Sequence, residues 1–207
     1  MKTILVTGGS GFIGSHTCID LIQEGFNVIA IDSLINSSYK SIESIKRIIN
    51  IYSKKNKNKF VFYQGDVRDE IFLREVFSKS IDSKNIDAVI HFAGLKSINE
   101  SINLPIKYWD FNVYGSINLL KIMDEFDCRT FIFSSSANIY EKDQSNLIKE
   151  SDLIHPEDPY GGTKFTVENL LKDVFNNPLS NWRIANLRYF NPIGAHESGM
   201  IGEFYSE

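Results

Sequence analysis

The feature that most constrains this chain is a short β-branched run that breaks into glycine and then turns helical. Residues 3–7 lead into Gly8-Gly9-Ser10-Gly11-Phe12-Ile13-Gly14, and a helical apolar period starts inside that motif. Glycines at positions 8, 11 and 14 let the chain turn tightly, let backbone N–H groups approach a pyrophosphate, and let a helix pack closely on a strand. The helix N-terminus then faces the anion. Turn glycines also occur without any ligand, so position matters. Here the motif follows a strand, opens a helix, and is followed 18 residues after Gly14 by Asp32 at the end of a second apolar run. A carboxylate there accepts hydrogen bonds from a ribose 2′-hydroxyl and repels a 2′-phosphate. The pattern points to NAD over NADP.

The rest of the chain alternates short apolar runs with helical periods. Strands are expected over residues 3–7, 27–32, 60–63, 88–91, 130–134 and 183–188, each reading as a strand buried on both faces. Helices are expected over 13–24, 41–53, 70–78, 103–126 and 159–175, with Asn103 and Pro105 marking the start of the fourth. Strand and helix in strict alternation imply right-handed crossovers and a parallel sheet covered on both sides, a doubly wound α/β fold of the Rossmann type.

Composition removes several function classes. With 207 residues, 43% hydrophobic and 23% charged, the chain has material for one core and none of the profile of disorder. A net charge of −4 supplies no basic field for nucleic acid or anionic lipid. The run Lys54-Lys55-Asn56-Lys57-Asn58-Lys59 lacks interleaved aromatics and reads as a solvated helix-to-strand connection. Cys18 and Cys128 stand 110 positions apart, with neither metal spacing nor a disulfide framework, so a reducing, cytoplasmic setting and no metal are expected. The apolar N-terminal run is too short for a membrane span or a signal segment. The sequons at Asn36 and Asn99 therefore carry little weight.

In a doubly wound sheet, ligands bind outside the carboxyl ends of the strands. Those ends here read Asp66-Val67, His91-Phe92-Ala93-Gly94 with Lys96 close by, Ser134-Ser135-Ser136, and Tyr189-Phe190-Asn191. Taken singly, each is an ordinary loop start, and His91 is an ordinary structural histidine. Tyr160 and Lys164 lie one helical turn apart just past Pro156-Glu157-Asp158-Pro159. Lys164 is thus in range to stabilise a phenolate at Tyr160; shifting a tyrosine from about 10 toward 7 takes roughly 4 kcal/mol. Nucleophile-elbow, HExxH, P-loop and EF-hand patterns do not occur. Asp66 and Asp69 read as a strand end and a helix cap.

Together these segments resemble the UDP-glucose 4-epimerases, extended short-chain dehydrogenases/reductases. The likeness rests on the residues from Thr7 to His16, His91-Phe92-Ala93-Gly94-Leu95-Lys96, Phe133-Ser134-Ser135-Ser136-Ala137, Pro159-Tyr160-Gly161 with Lys164, and Leu187-Arg188-Tyr189-Phe190-Asn191-Pro192 with Gly194-Ala195-His196. It runs from Lys2 to about Glu203. The resemblance implies a hydride shuttle on tightly held NAD that interconverts UDP-glucose and UDP-galactose, as in galactose metabolism, through a transient 4-keto sugar. Tyr160 is then the base, Ser136 bonds the reacting oxygen, and Lys164 holds the nicotinamide ribose. By the same likeness Phe12, Ile13, Asp32, Asn36, Ser37, Asp66, Val67, Phe92, Ala93 and Lys96 contact NAD, alongside Gly8, Gly11, Gly14, Gly94, Ser134, Tyr160 and Lys164. Phe190 packs near the nicotinamide. Lys96, Ser136, Tyr160 and Asn191 face the UDP-hexose. A homodimer is implied, with helices over 112–126 and 159–175 forming a four-helix bundle between subunits.

The chain also departs from the family pattern. Asn138 replaces a threonine and Glu141 a glycine after the serines, which removes a sugar contact and reshapes the following loop; Phe111 stands where some relatives carry asparagine. The likeness implies that residues 1–207 form the NAD-binding domain and that the family's C-terminal substrate domain is largely absent. Two alternatives stay open: a catalytically weak or silent NAD-binding fragment, and another nucleotide-sugar enzyme of the superfamily, a 4,6-dehydratase or a UDP-glucuronate epimerase. Dehydratases place Asp-Glu beside the active hydroxyl, where this chain reads Ser136-Ala137-Asn138.

Overall fold

The computed structural model describes residues 1–52, 59–79, 81, 85–141, 147–179 and 181–203, with the backbone alone at residue 52. Ser53, the lysine-rich run up to Asn58, and residues 204–207, where the family likeness ends, lie outside the described residues. Six strands, β1 (Thr3–Thr7), β2 (Asn27–Asp32), β3 (Phe60–Gln64), β4 (Ala88–His91), β5 (Thr130–Ser136) and β6 (Arg183–Tyr189), form a sheet ordered β3-β2-β1-β4-β5-β6. Every pairing in it is parallel. The order reverses between β1 and β4, and this switch point opens the crevice in which doubly wound sheets hold ligands.

The pleat splits the core in two. Ile4, Val6, Val28 and Ala30 face α1 (Phe12–Gln23) and α2 (Tyr39–Tyr52) through Cys18, Ile19, Ile22, Ile42, Ile45 and Ile48. On the opposite face Leu5, Ile29, Val89, Phe131 and Phe133 pack on Leu73 and Val76 of α3 (Glu70–Ser78), on Leu119, Ile122 and Met123, and on Val167 and Leu171. Asp69 caps α3 by accepting from the N–H groups of Ile71 and Phe72 at 2.9 and 3.0 Å. The outer strands differ from expectation. β3 is only half-buried and β6 largely exposed, because each lies at a sheet edge with one neighbour.

The expected single helix over 103–126 is instead three consecutive helical segments, preceded by a separate helix that ends at Asn103. Asn103 ends α4 (Ile98–Asn103) rather than starting a helix. Pro105 cannot donate a backbone hydrogen bond and drives the residue before it out of the helical region, so Leu104 sits at φ −130, ψ 55 and Pro105 opens α5 (Pro105–Tyr108). A π-helical stretch, Trp109–Tyr114, follows and passes into α6 (Gly115–Glu125). α7 (Pro159–Asn176) is capped by Asp158, whose side chain accepts from Gly161 N at 2.8 Å. β5 runs two residues beyond its expected end, because Ser135 and Ser136 continue the ladder opposite Arg188 and Tyr189. β3 ends at Gln64, so Asp66 belongs to the loop before α3, where its carboxylate accepts from Arg68.

Two helical glycines should respond oppositely to a methyl group. A Cβ at Gly14 would lie 2.2 Å from the Gly8 carbonyl oxygen, whereas at Gly162 the nearest atom is the edge of Trp109 at 3.9 Å. Gly14→Ala is expected to cost on the order of 1–3 kcal/mol or more, and Gly162→Ala to add roughly 0.5–1 kcal/mol, both read by thermal unfolding.

Candidate active site

The site begins at the turn between β1 and α1. Gly8 holds φ +67, and a side chain there would strike the backbone of Phe92 and Ala93 at the end of β4. The Gly11 N–H donates to the Gly8 carbonyl at 3.1 Å, and Gly11 caps α1 without a side-chain hydrogen bond. The crevice floor is therefore bare backbone at a positive helix end, the setting that suits a pyrophosphate. Asp32, 8% exposed, closes one side. Its Oδ2 accepts from Ser10 N at 3.0 Å, and its Oδ1 accepts from Leu34 N at 2.9 Å and from Ser37 Oγ at 2.8 Å. Leu34 adopts φ 61 to make that bond, a left-handed conformation unusual for leucine.

A cavity of about 710 Å³ runs from this turn to β6. Gly8, Gly11, Phe12, Ile13, Gly14, Asp32, Asn36, Ser37, Asp66, Val67, Phe92, Ala93, Gly94 and Lys96 line it, together with Ser134, Ser136, Tyr160, Lys164, Phe190 and Asn191. The structure thus brings together all the site residues singled out from the sequence. They differ in setting. Lys96 is 67% exposed and pairs with Glu203 at 2.9 Å; Phe190 is 66% exposed at the rim. Asp66 is drawn below the usual carboxylate range against the opposing cost of its partial burial, because Arg68 donates to it from side chain and backbone. Phe111, the departure noted above, lines the wall and lies under the Arg68 guanidinium, 3.5 Å from its ring centre.

His91 takes the structural role. Its ring bonds Thr7 Oγ1 at 2.6 Å and Ser116 Oγ at 3.0 Å, and burial, assisted by the Lys164 charge, pushes it down to about 3. It is neutral at physiological pH. Ser10, Leu34 and Asn112 escaped the sequence reading. Asn112 holds the loop after β4 to α7, accepting from Leu95 N at 2.8 Å and donating to Leu95 O and to Thr163 Oγ1 at 3.1 and 3.0 Å. Its only signal in the sequence is an asparagine between Phe111 and Val113.

The Tyr160 and Lys164 geometry corrects one expectation. Lys164 is buried, and its Nζ donates to the Ser134 carbonyl at 2.8 Å rather than reaching the phenol, lying 5.8 Å from the Tyr160 ring centre. Burial raises the Tyr160 phenol above its ordinary value; a hydrogen bond with Ser136 opposes this, and the Asp158 charge adds to it. In the protein alone Tyr160 is therefore protonated at neutral pH and not poised as phenolate. Desolvation brings Lys164 down to about 8, so it is still a cation at neutral pH. The arrangement suits acid–base chemistry on a hydroxyl or carbonyl once further positive charge enters the crevice. Asn138 N donates to Ser136 Oγ at 3.2 Å, and the Glu141 N–H donates to Leu153 O.

Known proteins share this architecture. The family model described as GDP-mannose 4,6 dehydratase matches residues 5–206. UDP-glucose 4-epimerase 2 of Arabidopsis thaliana is 41% identical over 202 residues, covering 98% of this chain and 55% of that protein. UDP-glucose 4-epimerase GEPI42 of Cyamopsis tetragonoloba is 44% identical over 203 residues, again with 98% and 55% covered. A crystal structure of UDP-glucose-4-epimerase from Stenotrophomonas maltophila, with bound NAD and formylated UDP-arabinopyranose, superposes with a TM-score of 0.89 at 41% identity over 100% of this chain and 58% of that one. The Bifidobacterium longum enzyme, in complex with NAD+ and UDP, gives 0.87 at 43% identity, covering 98% and 57%. The chain spans about half the length of the curated relatives it matches. Because the family match runs almost end to end, across both the glycine turn and the Tyr160 helix, the chain belongs to the GDP-mannose 4,6 dehydratase family, and its homologues there are UDP-glucose 4-epimerases.

Proposed function

We propose that this protein epimerises the sugar C4 of a UDP-hexose with NAD, interconverting UDP-glucose and UDP-galactose in galactose metabolism. The observation that carries this reading is the single cavity in which a dinucleotide-type glycine turn meets Ser136, Tyr160 and Lys164. The residues present fit NAD: the turn is bare of side chains, and a fixed carboxylate at Asp32 suits an unphosphorylated ribose. On this reading residues 1–207 form the dinucleotide-binding domain. Two buried thiols in reduced form accord with a cytoplasmic setting. The sequence Ser136-Ala137-Asn138, without acidic residues, favours epimerisation over dehydration.

Bound in the crevice, NAD supplies the acceptor that takes hydride from C4, the positive charge that helps ionise Tyr160, and the return of hydride to the other face of the 4-keto sugar. Tyr160 Oη removes the proton of the 4-hydroxyl and later gives it back. Ser136, hydrogen-bonded to the phenol, holds the reacting oxygen in line. Lys164, carrying its charge below about pH 8 and anchored on Ser134 O, bonds the ribose and biases Tyr160 toward ionisation. Asp32 and Ser37 would hold the adenosine ribose, and Asp66 and Val67, which line the same cavity, would contact the dinucleotide. Lys96, Phe190 and Asn191 border the sugar and nicotinamide end of the cavity.

We extend the proposal to a homodimer built on α6 and α7. Ile117 and Leu120 of α6 and Leu170 and Val174 of α7 line a second cavity of about 460 Å³ between these helices, an apolar seam that a partner's helices would cover. Sedimentation at micromolar concentration is expected to give twice the chain mass; a monomeric mass would remove the dimer.

The reaction is tested with the NAD-loaded protein and UDP-galactose. UDP-glucose should form feebly or not at all with the 207-residue chain alone and readily once it is extended with a family C-terminal domain, and Tyr160→Phe in the extended protein should lose at least about a hundredfold in rate. Protein that binds NAD yet forms no product, both alone and when extended with the C-terminal domain of a UDP-glucose 4-epimerase, would refute the assignment. Asp32→Ala should weaken NAD by about tenfold or more and narrow its lead over NADP in calorimetry; equal affinity of the unmodified protein for both cofactors would count against Asp32 as the selector.

Lys164→Met should separate stability from function. The folded-state lysine is depressed from 10.5 to about 8, so its buried charge opposes folding fully below pH 8 and fades as pH rises toward 10.5. Without NAD, the methionine variant should be more stable by on the order of 2 kcal/mol at pH 7, with the gain shrinking above pH 8, while turnover collapses.

A further inference from the structure

One stripe of α7 carries Tyr160, Lys164 and, a further turn on, Glu168. Glu168 is nearly as buried as Lys164, with 6% of its side chain exposed, yet the proposed chemistry makes no use of it. Its partners are specific. Ser135 Oγ donates to Oε1, and Arg188 closes a fork on the carboxylate, Nε to Oε1 at 3.1 Å and Nη2 to Oε2 at 2.7 Å. The third guanidinium nitrogen, Nη1, donates to the Tyr140 hydroxyl at 2.6 Å and the Glu150 carbonyl at 3.4 Å. Ser135 and Arg188 are register partners across β5 and β6. One carboxylate therefore ties α7 to both strands, and one guanidinium extends the tie to the segment after Ser136, where the Asn138 carbonyl packs on Gly161.

We infer that Glu168 and Arg188 are positioning residues for Tyr160: their buried fork clamps α7 to the ends of β5 and β6 and so sets Tyr160 and Lys164 against Ser136. The inference rests on the reading of Tyr160 as the acid–base group. Ser136 and Lys164 arise from different elements, joined locally by the Lys164 Nζ bond to the Ser134 carbonyl, and the Glu168–Arg188 fork adds a second tie one turn further along α7. Ser136 lies one residue from Ser135, Tyr189 one residue from Arg188, and Lys164 one turn from Glu168. A shift of α7 would carry the phenol away from the hydroxyl and the ammonium that favour its ionised form. The charged and titratable groups facing this cluster are Asp158 at the α7 cap, Lys164, the neutral His91 from β4, Tyr140 on the segment after β5, Tyr189 at the end of β6, and Glu168 with Arg188. The fork neutralises Glu168, which leaves Lys164 as the cation next to the phenol.

The experiment compares Glu168→Gln, Arg188→Met and the double variant in the full chain. Thermal unfolding, NAD affinity by calorimetry, kcat and KM are read, together with the ionisation of Tyr160 in the NAD complex. That ionisation is followed by tyrosinate ultraviolet absorbance with the Tyr160→Phe signal subtracted. Arg188→Met strands a buried carboxylate and is expected to be the least stable, with the double variant recovering most of the loss. A positioning role predicts that all three, the recovered double variant included, ionise Tyr160 about one pH unit higher and lose about tenfold or more in kcat. KM and NAD affinity should stay within about twofold. If the double variant regains wild-type ionisation along with its stability, the pair is only structural and the inference fails. The titration needs no substrate. Absence of turnover in the domain-extended protein would thus refute the proposed reaction while the titration still decides the clamp. Should Arg188→Met fail to fold, Glu168→Gln and the double variant give the same answer.

Discussion

The contact of the Gly8 carbonyl with Gly14 is the constraint on which the rest depends. A strand, a tight turn and a helix can stack this closely only if neither glycine carries a Cβ: one at Gly14 would sit 2.2 Å from that oxygen, and one at Gly8 would enter the backbone after β4. The close approach aims the start of α1 at the crevice and brings the end of β4 beside the end of β1. The sheet order then places β5 and its serines across the same opening. A single packing requirement at the first crossover thus fixes one wall of the cavity and locates the other.

The opposite wall carries an electrostatic cost. Lys164 is buried with one carbonyl as its hydrogen-bond acceptor, and desolvation weakens its hold on the proton. Glu168, one turn away, does not serve as its counter-ion, because Arg188 takes that carboxylate. A buried ammonium left without a carboxylate opposes folding, and here it is held beside the proposed acid–base tyrosine, 5.8 Å from its ring centre. Leu34 is likewise held in a left-handed backbone by the Asp32 carboxylate it helps to orient.

Helix breakers were only partly legible. Pro105 was visible as a helix start, but Asn103 beside it suggested a cap, whereas the chain uses Leu104 as the break and ends the previous helix at Asn103. The π-helical turn at Trp109–Tyr114 has no signature in apolar spacing. It places Asn112 inward, where the side chain bridges the loop after β4 to Thr163 of α7. No periodicity argument finds such a residue, because its partners lie 17 and 51 positions away.

The sequence by itself determined the parallel doubly wound sheet, the glycine turn, the acidic residue ending β2, and the pairing of Tyr160 with Lys164 on one helical face. Those features follow from local spacing: β-branched runs, a 3.6-residue period and glycines where side chains cannot fit. Only the tertiary structure decided what each group does electrostatically. Burial, rather than the nearby lysine, controls the Tyr160 phenol; Lys164 turns to Ser134; His91 is locked neutral between Thr7 and Ser116; and Glu168 is claimed by Arg188 from the neighbouring strand. Desolvation and hydrogen bonding depend on atoms brought together from distant parts of the chain. Spacing along the sequence names the groups that meet, and three-dimensional packing sets the charge each one carries.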